Sequence, residues 1–264
     1  MSSFIPSVNL HRLDLSYVYG DFSSEITVQS EMMPKIREFH TSESLRLTKL
    51  LCAKKQDERP AFNFMNLRRL SISLIHGEDL EDKQDIRYLL RNARILENLH
   101  LSVVFGRTLV ELHGVLSPSA RTLKVLDLSV LLEGDGLNPL PLAGLCKELE
   151  AIAGHNMLEA LSFEVRVKYH ETEDFIGSMI QEVEKVLVKP GWSALRQVSF
   201  KVSIACCPPF SGETLQSLPD KYLSHLSKLE SVAFNYSAYG RCTLNWDWIY
   251  DLYFHFLFPA TCPV

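Results

Sequence analysis

Long apolar runs are missing from this sequence. The aromatic-rich stretch at residues 244–258 is interrupted by Asp247, Asp251 and His255. It therefore does not predict a membrane-spanning helix, which needs about 20 apolar residues. The N-terminus has no basic start followed by an apolar run, so no signal peptide is predicted. These absences predict an intracellular protein, cytoplasmic or nuclear, that has no membrane partner.

Cysteine is scarce and irregularly spaced. The chain has six cysteines, at residues 52, 146, 206, 207, 242 and 262, and no C-x-x-C or H-E-x-x-H pattern. This spacing argues against a disulfide framework and against the common metal sites. We therefore expect reduced thiols and no bound metal ion.

A net positive charge is also absent. The chain has 27 Lys and Arg residues against 32 Asp and Glu residues, which gives a formal net charge of −5 at pH 7. A mildly acidic chain has no general attraction to a phosphate backbone. The composition therefore argues against nucleic acid as the main partner.

Glycine-rich phosphate loops and nucleophile elbows are not found. No G-x-x-x-x-G-K-[ST], G-x-G-x-x-G or G-x-S-x-G stretch occurs, so the sequence predicts no bound cofactor and no enzyme of these classes. The acidic residues between 78 and 85 fit the solvated first turn of a helix better than a metal site, because carboxylates are favoured at helix N-termini.

The chain does contain an internal repeat. An apolar residue is followed by two others at +3 and +5, as in "NLHRLDLS" and "TLKVLDLS", and the middle position recurs at residues 13, 39, 70, 99, 126, 161, 198 and 232. One such copy means little, but eight copies at roughly even spacing predict a structural unit that stacks on its neighbours.

Each copy has the alternation of a β-strand. In "LKVLDLSV", Leu126 and Leu128 fall on one side of the strand and Asp127 and Ser129 on the other, because successive side chains point to opposite faces. A single strand of this kind cannot bury its apolar side. Stacked copies bury it when helices cover that side.

Helical patterns lie between the strands. The clearest covers residues 171–191, where apolar residues follow the 3, 4, 7 spacing of one helix face and Pro190 and Gly191 end the pattern. A similar stripe of Ile86, Leu89, Leu90 and Ala93 predicts a helix in "EDKQDIRYLLRNAR". Further helices are predicted in "ESLRLTKLLCA", "TLVELHGVL", "PLAGLCKELEAIAG" and "TLQSLPDKYLSHL". Pro219 in the last of these predicts a helix broken into two pieces.

Strands alternating with helices predict an α/β fold with a parallel sheet. With the strands in chain order, residues 1–243 form a single solenoid of about eight irregular units, with a concave β-sheet and helices on the convex side. The aromatic tail at 244–264 is then a possible cap for the last unit. A doubly wound sheet is the main alternative, but its strands read as continuous apolar runs and these alternate.

The L-x-x-L-x-L units resemble leucine-rich repeats, and their long irregular form is similar to the repeat regions of fungal F-box proteins. The resemblance covers about residues 8–240. It implies a module that holds a protein partner and, in F-box proteins, attachment to a ubiquitin-ligase scaffold. No F-box-like segment is found before the first unit, so scaffold binding is implied for a longer form that carries one.

The sequence departs from the usual repeat in one respect. Leucine-rich repeats carry Asn or Cys at +8, where the side chain bonds the turn backbone. Here the slot holds Val18, Ser44, Ile75, Val104, Leu131, Arg166, Ser203 and Ser237. We therefore expect other groups to satisfy the turns.

The outward side chains of the strands are the candidate site. A concave face would present these residues to a protein or peptide partner: Asp14, His40, Arg69, Asn98, His100, Asp127, Ser129, Glu164, Arg166 and Lys201. The sequence thus favours a non-catalytic interaction module that needs no cofactor. The alternatives are an enzyme with a doubly wound sheet and a diverged or truncated repeat protein with a structural role only.

Overall fold

The structure is a computed structural model of the chain, and part of the chain is described. The predicted tail at 244–264, the acidic residues between 78 and 85, the predicted helix near 43–53, and all but the last residue of the predicted helix near 108–116 lie outside the described residues. The described ranges are 11–16, 35–42, 64–74, 89–105, 116–132, 143–167, 173–204 and 212–240.

The eight predicted strands are present and form one parallel sheet. Their order in the sheet is their order in the chain, β1 to β8, and every neighbouring pair is parallel. The chain is therefore α/β. The strands are β1 (Arg12–Ser16), β2 (Glu38–Ser42), β3 (Arg69–Leu74), β4 (Asn98–Phe105), β5 (Val125–Leu132), β6 (Ala160–Val167), β7 (Gln197–Ile204) and β8 (Ala233–Gly240).

The strand order argues against the doubly wound alternative. A doubly wound sheet reverses its strand order and forms its ligand crevice at that point. Among the eight described strands the order never reverses. The described sheet therefore has no crevice of that kind.

The register of β1 to β7 follows the repeat. The +3 residues of adjacent units lie side by side, so Leu99 pairs with Leu126, Leu126 with Leu161 and Leu161 with Val198. All four are almost fully buried. The equal spacing thus places apolar side chains of neighbouring strands in contact and forms continuous buried rows across the sheet.

The last unit differs from the sequence prediction by two residues. Val198 lies beside Phe234, not beside the predicted Val232. Two turns before β8 explain the difference. The buried carboxylate of Glu184 accepts hydrogen bonds from the backbone N–H groups of His225 (2.8 Å) and Leu226 (2.9 Å), where the 3-10 turn Leu226–Lys228 begins. A further turn follows, in which Val232 N donates to the Leu229 carbonyl at 3.1 Å, so β8 begins at Ala233 and Val232 lies just before the strand.

Three α-helices are fully bounded: α1 (Ala143–Ile152), α2 (Glu173–Leu187) and α3 (Gly212–Tyr222). The predicted helix at 171–191 is confirmed as α2, and its apolar stripe is buried. Leu89, Leu90 and Ala93 are also buried as predicted, in and just after a short helical turn. The buried helix and strand side chains form one core, in which the rings of Phe163 and Phe200 stack with centroids 5.0 Å apart.

The predicted break at Pro219 is wrong, because α3 continues through it. A proline removes the N–H that would bond the carbonyl four residues earlier, here that of Leu215. The hydroxyl of Tyr236 in β8 donates to that carbonyl at 2.9 Å. A partner from the sheet therefore replaces the missing helical donor.

The turns before the strands are held by main-chain bonds instead of an asparagine row. The Glu97 carbonyl accepts from Lys124 N (2.8 Å) and Val125 N (3.0 Å), and the Lys124 carbonyl does the same for Glu159 and Ala160. The predicted asparagine slot lies inside the strands in the central units, where Val104 pairs with Leu131 and Leu131 with Arg166. Sheet pairing satisfies that backbone, so no side-chain amide is needed there.

One side of the sheet, which we call the covered face, packs against the helices. The other, which we call the polar face, carries the alternate strand residues that the sequence predicts to point outward. None of the described helices is both long and apolar enough to cross a membrane.

Candidate interaction face

The register sorts the side chains of the polar face into four rows that run across the sheet. All ten predicted residues fall in these rows. Arg69 and Asn98 are in the first row, Asp14, His40, His100 and Asp127 in the second, Ser129, Glu164 and Lys201 in the third, and Arg166 in the fourth.

His100 and Asp127 form the centre of the second row. His100 Nδ1 lies 2.9 Å from Asp127 Oδ2, and 42% of the Asp127 side chain is exposed. Burial opposes ionisation of Asp127, but the His100 and Ser162 hydrogen bonds and the Lys201 charge outweigh it, so its pKa is lowered. Asp127 is therefore an ionised acceptor that is held in place and still reachable from solvent.

Glu164, Arg166 and Lys201 form a second cluster beside it. Glu164 Oε1 lies 3.1 Å from both Arg166 Nε and Lys201 Nζ, and the Glu164 and Arg166 side chains are only 16% and 15% exposed. Burial of Glu164 opposes ionisation, but these two cations outweigh it and lower its pKa. Glu164 and Tyr239 in turn raise the pKa of Lys201 against its own burial.

Tyr239 was missed by the sequence prediction. Lys201 Nζ lies 5.4 Å from the centre of the Tyr239 ring, a distance at which a cation is attracted to the ring face. Tyr239 joins the fourth row because β8 is shifted by two residues, and it pairs with Ser203. Tyr239 lies inside residues 1–243 of the predicted solenoid, and alternation along the strand from Asn235 would have placed it on the polar face.

The first three strands carry a simpler pattern of charges. Arg12 Nε bonds Asp14 Oδ2 at 2.8 Å, and Arg69 Nη1 bonds Glu38 Oε1 at 3.2 Å. Burial lowers the pKa of His40, with Arg12 and His100 acting in the same direction against the nearby carboxylates. His40 is therefore neutral at neutral pH and offers both a donor and an acceptor.

Ser129 does not belong to the accessible surface that the sequence predicts. Its row position is as expected, between Ser102 and Glu164, but only 3% of it is exposed. A short side chain in a row that includes longer neighbours is recessed below them. Asp127 is therefore accessible to solvent on this strand, and Ser129 is not.

The polar face is balanced in charge. Its four described carboxylates, on Asp14, Glu38, Asp127 and Glu164, each have a basic partner. In the described ranges, no three His, Cys, Asp or Glu side chains are arranged to hold a metal ion.

The described cysteine, Cys146, lies in the core, away from this face. Burial, assisted by Glu182 and Glu150, raises the pKa of its thiol to about 12. It therefore stays protonated at neutral pH and is a poor nucleophile.

Comparison with known proteins gives no relative: no protein-family model, no curated protein and no solved structure matches the chain.

Proposed function

We propose that the chain is a non-catalytic interaction module of the leucine-rich-repeat type, a solenoid that binds a protein or peptide on its polar face. One observation carries the proposal: eight parallel strands pair strictly in chain order and present one continuous polar face. Helices on the covered face would make the polar face the concave one. Concave faces of repeat arrays are common binding surfaces.

The size of the polar face supports a polypeptide ligand. Neighbouring strands lie about 4.8 Å apart, so eight strands in order make a face roughly 34 Å wide. An extended peptide advances about 3.3 Å per residue, so about ten residues would cross the whole face. A small metabolite would use only a fraction of such a surface.

The side chains that would carry the contact are in the central rows. Asp127 is ionised and fixed by His100, and Lys201 is fixed by Glu164 and Tyr239. Groups that are already ordered lose little conformational entropy when a partner binds, which favours affinity. Because the charges of the polar face balance, we expect a partner that pairs with its individual hydrogen-bond donors and acceptors and not one that is attracted by net charge.

Affinity capture with paired variants tests this proposal. The test protein carries Asp127→Lys with His100→Glu, and the control carries Glu182→Lys with Gln181→Glu on α2. Both pairs change the net charge by the same amount. We expect partners recovered with the wild type and the control to be lost with the polar-face variant. Retention of every partner would contradict binding at this face.

The resemblance to F-box proteins extends the proposal to substrate recognition in an F-box-type ubiquitin ligase. That role needs an F-box segment in a longer form of the chain. Capture of a ubiquitin-ligase scaffold by the longer form, and not by these 264 residues, would support it. If no partner of any kind depends on the polar face, a purely structural role is the better interpretation.

A further inference from the structure

A second charged surface lies where the strands begin. The residues just before the strands and in the turns leading to them carry exposed basic side chains. We call this surface the basic edge, and it comprises Lys35, Arg37, Arg68, Arg94, Arg121 and Lys124.

Main-chain bonds hold the turns of the basic edge side by side. The Arg37 carbonyl accepts from Arg68 N (2.8 Å), and the Arg68 carbonyl accepts from Glu97 N (2.8 Å). The hydroxyl of Thr122 donates to the Leu96 carbonyl at 2.9 Å, which joins the turn containing Arg94 to the turn containing Arg121. The basic side chains therefore belong to one surface.

The charge of this edge is opposite to that of the whole chain. Two acids lie among the described residues of these turns: Glu97, which pairs with Arg68 at 3.0 Å, and Glu159, which is exposed and whose backbone N–H bonds the Lys124 carbonyl at 2.8 Å, so the six bases remain in excess. Lys35, Arg37, Arg94, Arg121 and Lys124 have no ion-pair partner in the described ranges. An excess of unpaired positive charge on a chain of net charge −5 is a local attraction for a negative ligand.

Apolar side chains are exposed among these bases. Met65 is 59% exposed, Ile95 is 37% exposed and Met157 is 49% exposed. Ile95 directly follows Arg94, and the backbone N–H of Met157 bonds the Ala120 carbonyl at 3.2 Å, beside Arg121. Exposed methionines are typical of surfaces that adapt to a protein ligand.

We propose that the basic edge binds an acidic segment of a partner protein that also carries apolar side chains. The exposed bases match the carboxylates of such a segment, and Met65, Ile95 and Met157 match its apolar residues. Nucleic acid is the weaker match, since binding of single strands uses exposed aromatic rings for stacking and the described turns of this edge expose none. This surface is separate from the polar face and from the function proposed for it.

Fluorescence anisotropy of the intact 264-residue chain tests the proposal. The probe is a labelled peptide of alternating glutamate and leucine. Two comparison probes are a peptide with glutamine in place of glutamate and a labelled single-stranded DNA. The edge variant is Arg94→Glu, Arg121→Glu, Lys124→Glu, and the matched control is Lys147→Glu, Lys185→Glu, Lys221→Glu, which are exposed on α1, α2 and α3. Circular dichroism verifies that both variants fold.

We expect the glutamate–leucine peptide to bind the wild type and the control, and to bind the edge variant about tenfold or more weakly at low salt, because three charge contacts become repulsive. Met65→Ser with Ile95→Ser should weaken binding at high salt as well, where the apolar part of the contact remains. Equal losses in the edge and control variants would overturn the proposal. So would tighter binding of the DNA, or no binding of the peptide at low salt.

Discussion

At the scale of single residues, alternation along a strand determines which way a side chain points and not how deep it lies. Asp127 and Ser129 share a strand and a face, yet Asp127 is half-exposed and Ser129 is buried. Depth depends on the lengths of the neighbours in the same row, which come from other strands. The sequence therefore predicted the rows of the polar face and could not predict the accessible members within them.

The Glu164 cluster gives a prediction about pH. Glu164→Gln leaves Arg166, itself mostly buried, without its charged acceptor, so we expect a loss of about 1–3 kcal/mol in the free energy of unfolding near neutral pH. The folded pKa of Glu164 is lowered. Its contribution is therefore present above the unfolded pKa of about 4.3 and lost as the pH falls below it. Urea unfolding at a series of pH values measures both effects.

The control for this variant is Glu182→Gln. Glu182 pairs with Lys185 on the surface of α2, and a pair of this kind contributes about 0–1 kcal/mol. The difference between wild type and Glu164→Gln should shrink in acid, where wild-type Glu164 is protonated. A difference that stays constant down to about pH 3 would show that packing, not charge, causes the loss.

At the scale of elements, two sequence predictions failed, the break at Pro219 and the register of β8, because each was made from the local sequence alone. A proline inside a helix normally ends it, and here a tyrosine from the next strand replaces the missing donor. The sequence misplaced the last unit because Val232 with Phe234, and Phe234 with Tyr236, are both apolar pairs that fit the +3 and +5 positions. An apolar period of two does not distinguish registers that differ by two residues, and the turn that Val232 N closes on the Leu229 carbonyl excludes Val232 from the strand.

The replacement of the helical donor by Tyr236 is testable with a double-mutant cycle. Tyr236→Phe removes the hydroxyl and leaves the Leu215 carbonyl without that donor, so we expect a loss of about 1 kcal/mol in stability. Pro219→Ala restores a backbone N–H for the same carbonyl. In the Pro219→Ala protein, Tyr236→Phe should lower the free energy of unfolding by about 0.5–1 kcal/mol less than it does in the wild type. Equal effects of Tyr236→Phe in the two proteins, measured by urea unfolding, would show that the hydroxyl does not replace the missing N–H.

Two glycines at the junction of neighbouring turns give a matched pair of variants. Gly154 N donates to the Gly191 carbonyl at 2.8 Å, and both glycines have positive φ, 82° and 120°. A Cβ on Gly154 would meet nothing within 4 Å, whereas a Cβ on Gly191 would lie 2.6 Å from Gly154 N. We expect Gly154→Ala to cost about 1 kcal/mol and Gly191→Ala about 3 kcal/mol. Thermal unfolding of both variants measures the difference, and equal losses would show that φ alone matters.

At the scale of the whole molecule, the order of the strands determines how stability is distributed. Each described strand pairs only with the strands before and after it in the chain. In such a linear array a central strand is held on two sides and a terminal strand on one. The repeat in the sequence was enough to predict this arrangement, because the arrangement needs only equal spacing and alternation, and no contact between distant units.

A central and a terminal leucine at the same repeat position test that distribution. Leu126 in β5 is fully buried between Leu99 and Leu161, whereas Leu13 in β1 is partly buried and has one described strand neighbour. We expect Leu126→Ala to lower the free energy of unfolding by about 3–5 kcal/mol and Leu13→Ala by about 1 kcal/mol. Native-state hydrogen exchange should show the matching pattern, with amides of β5 and β6 opening last and those of β1 opening first. Equal hydrogen-exchange protection of all eight strands, together with equal losses of unfolding free energy from the two substitutions, would contradict this prediction. The sheet would then unfold as one cooperative unit, and the linear order of the strands would not control its stability.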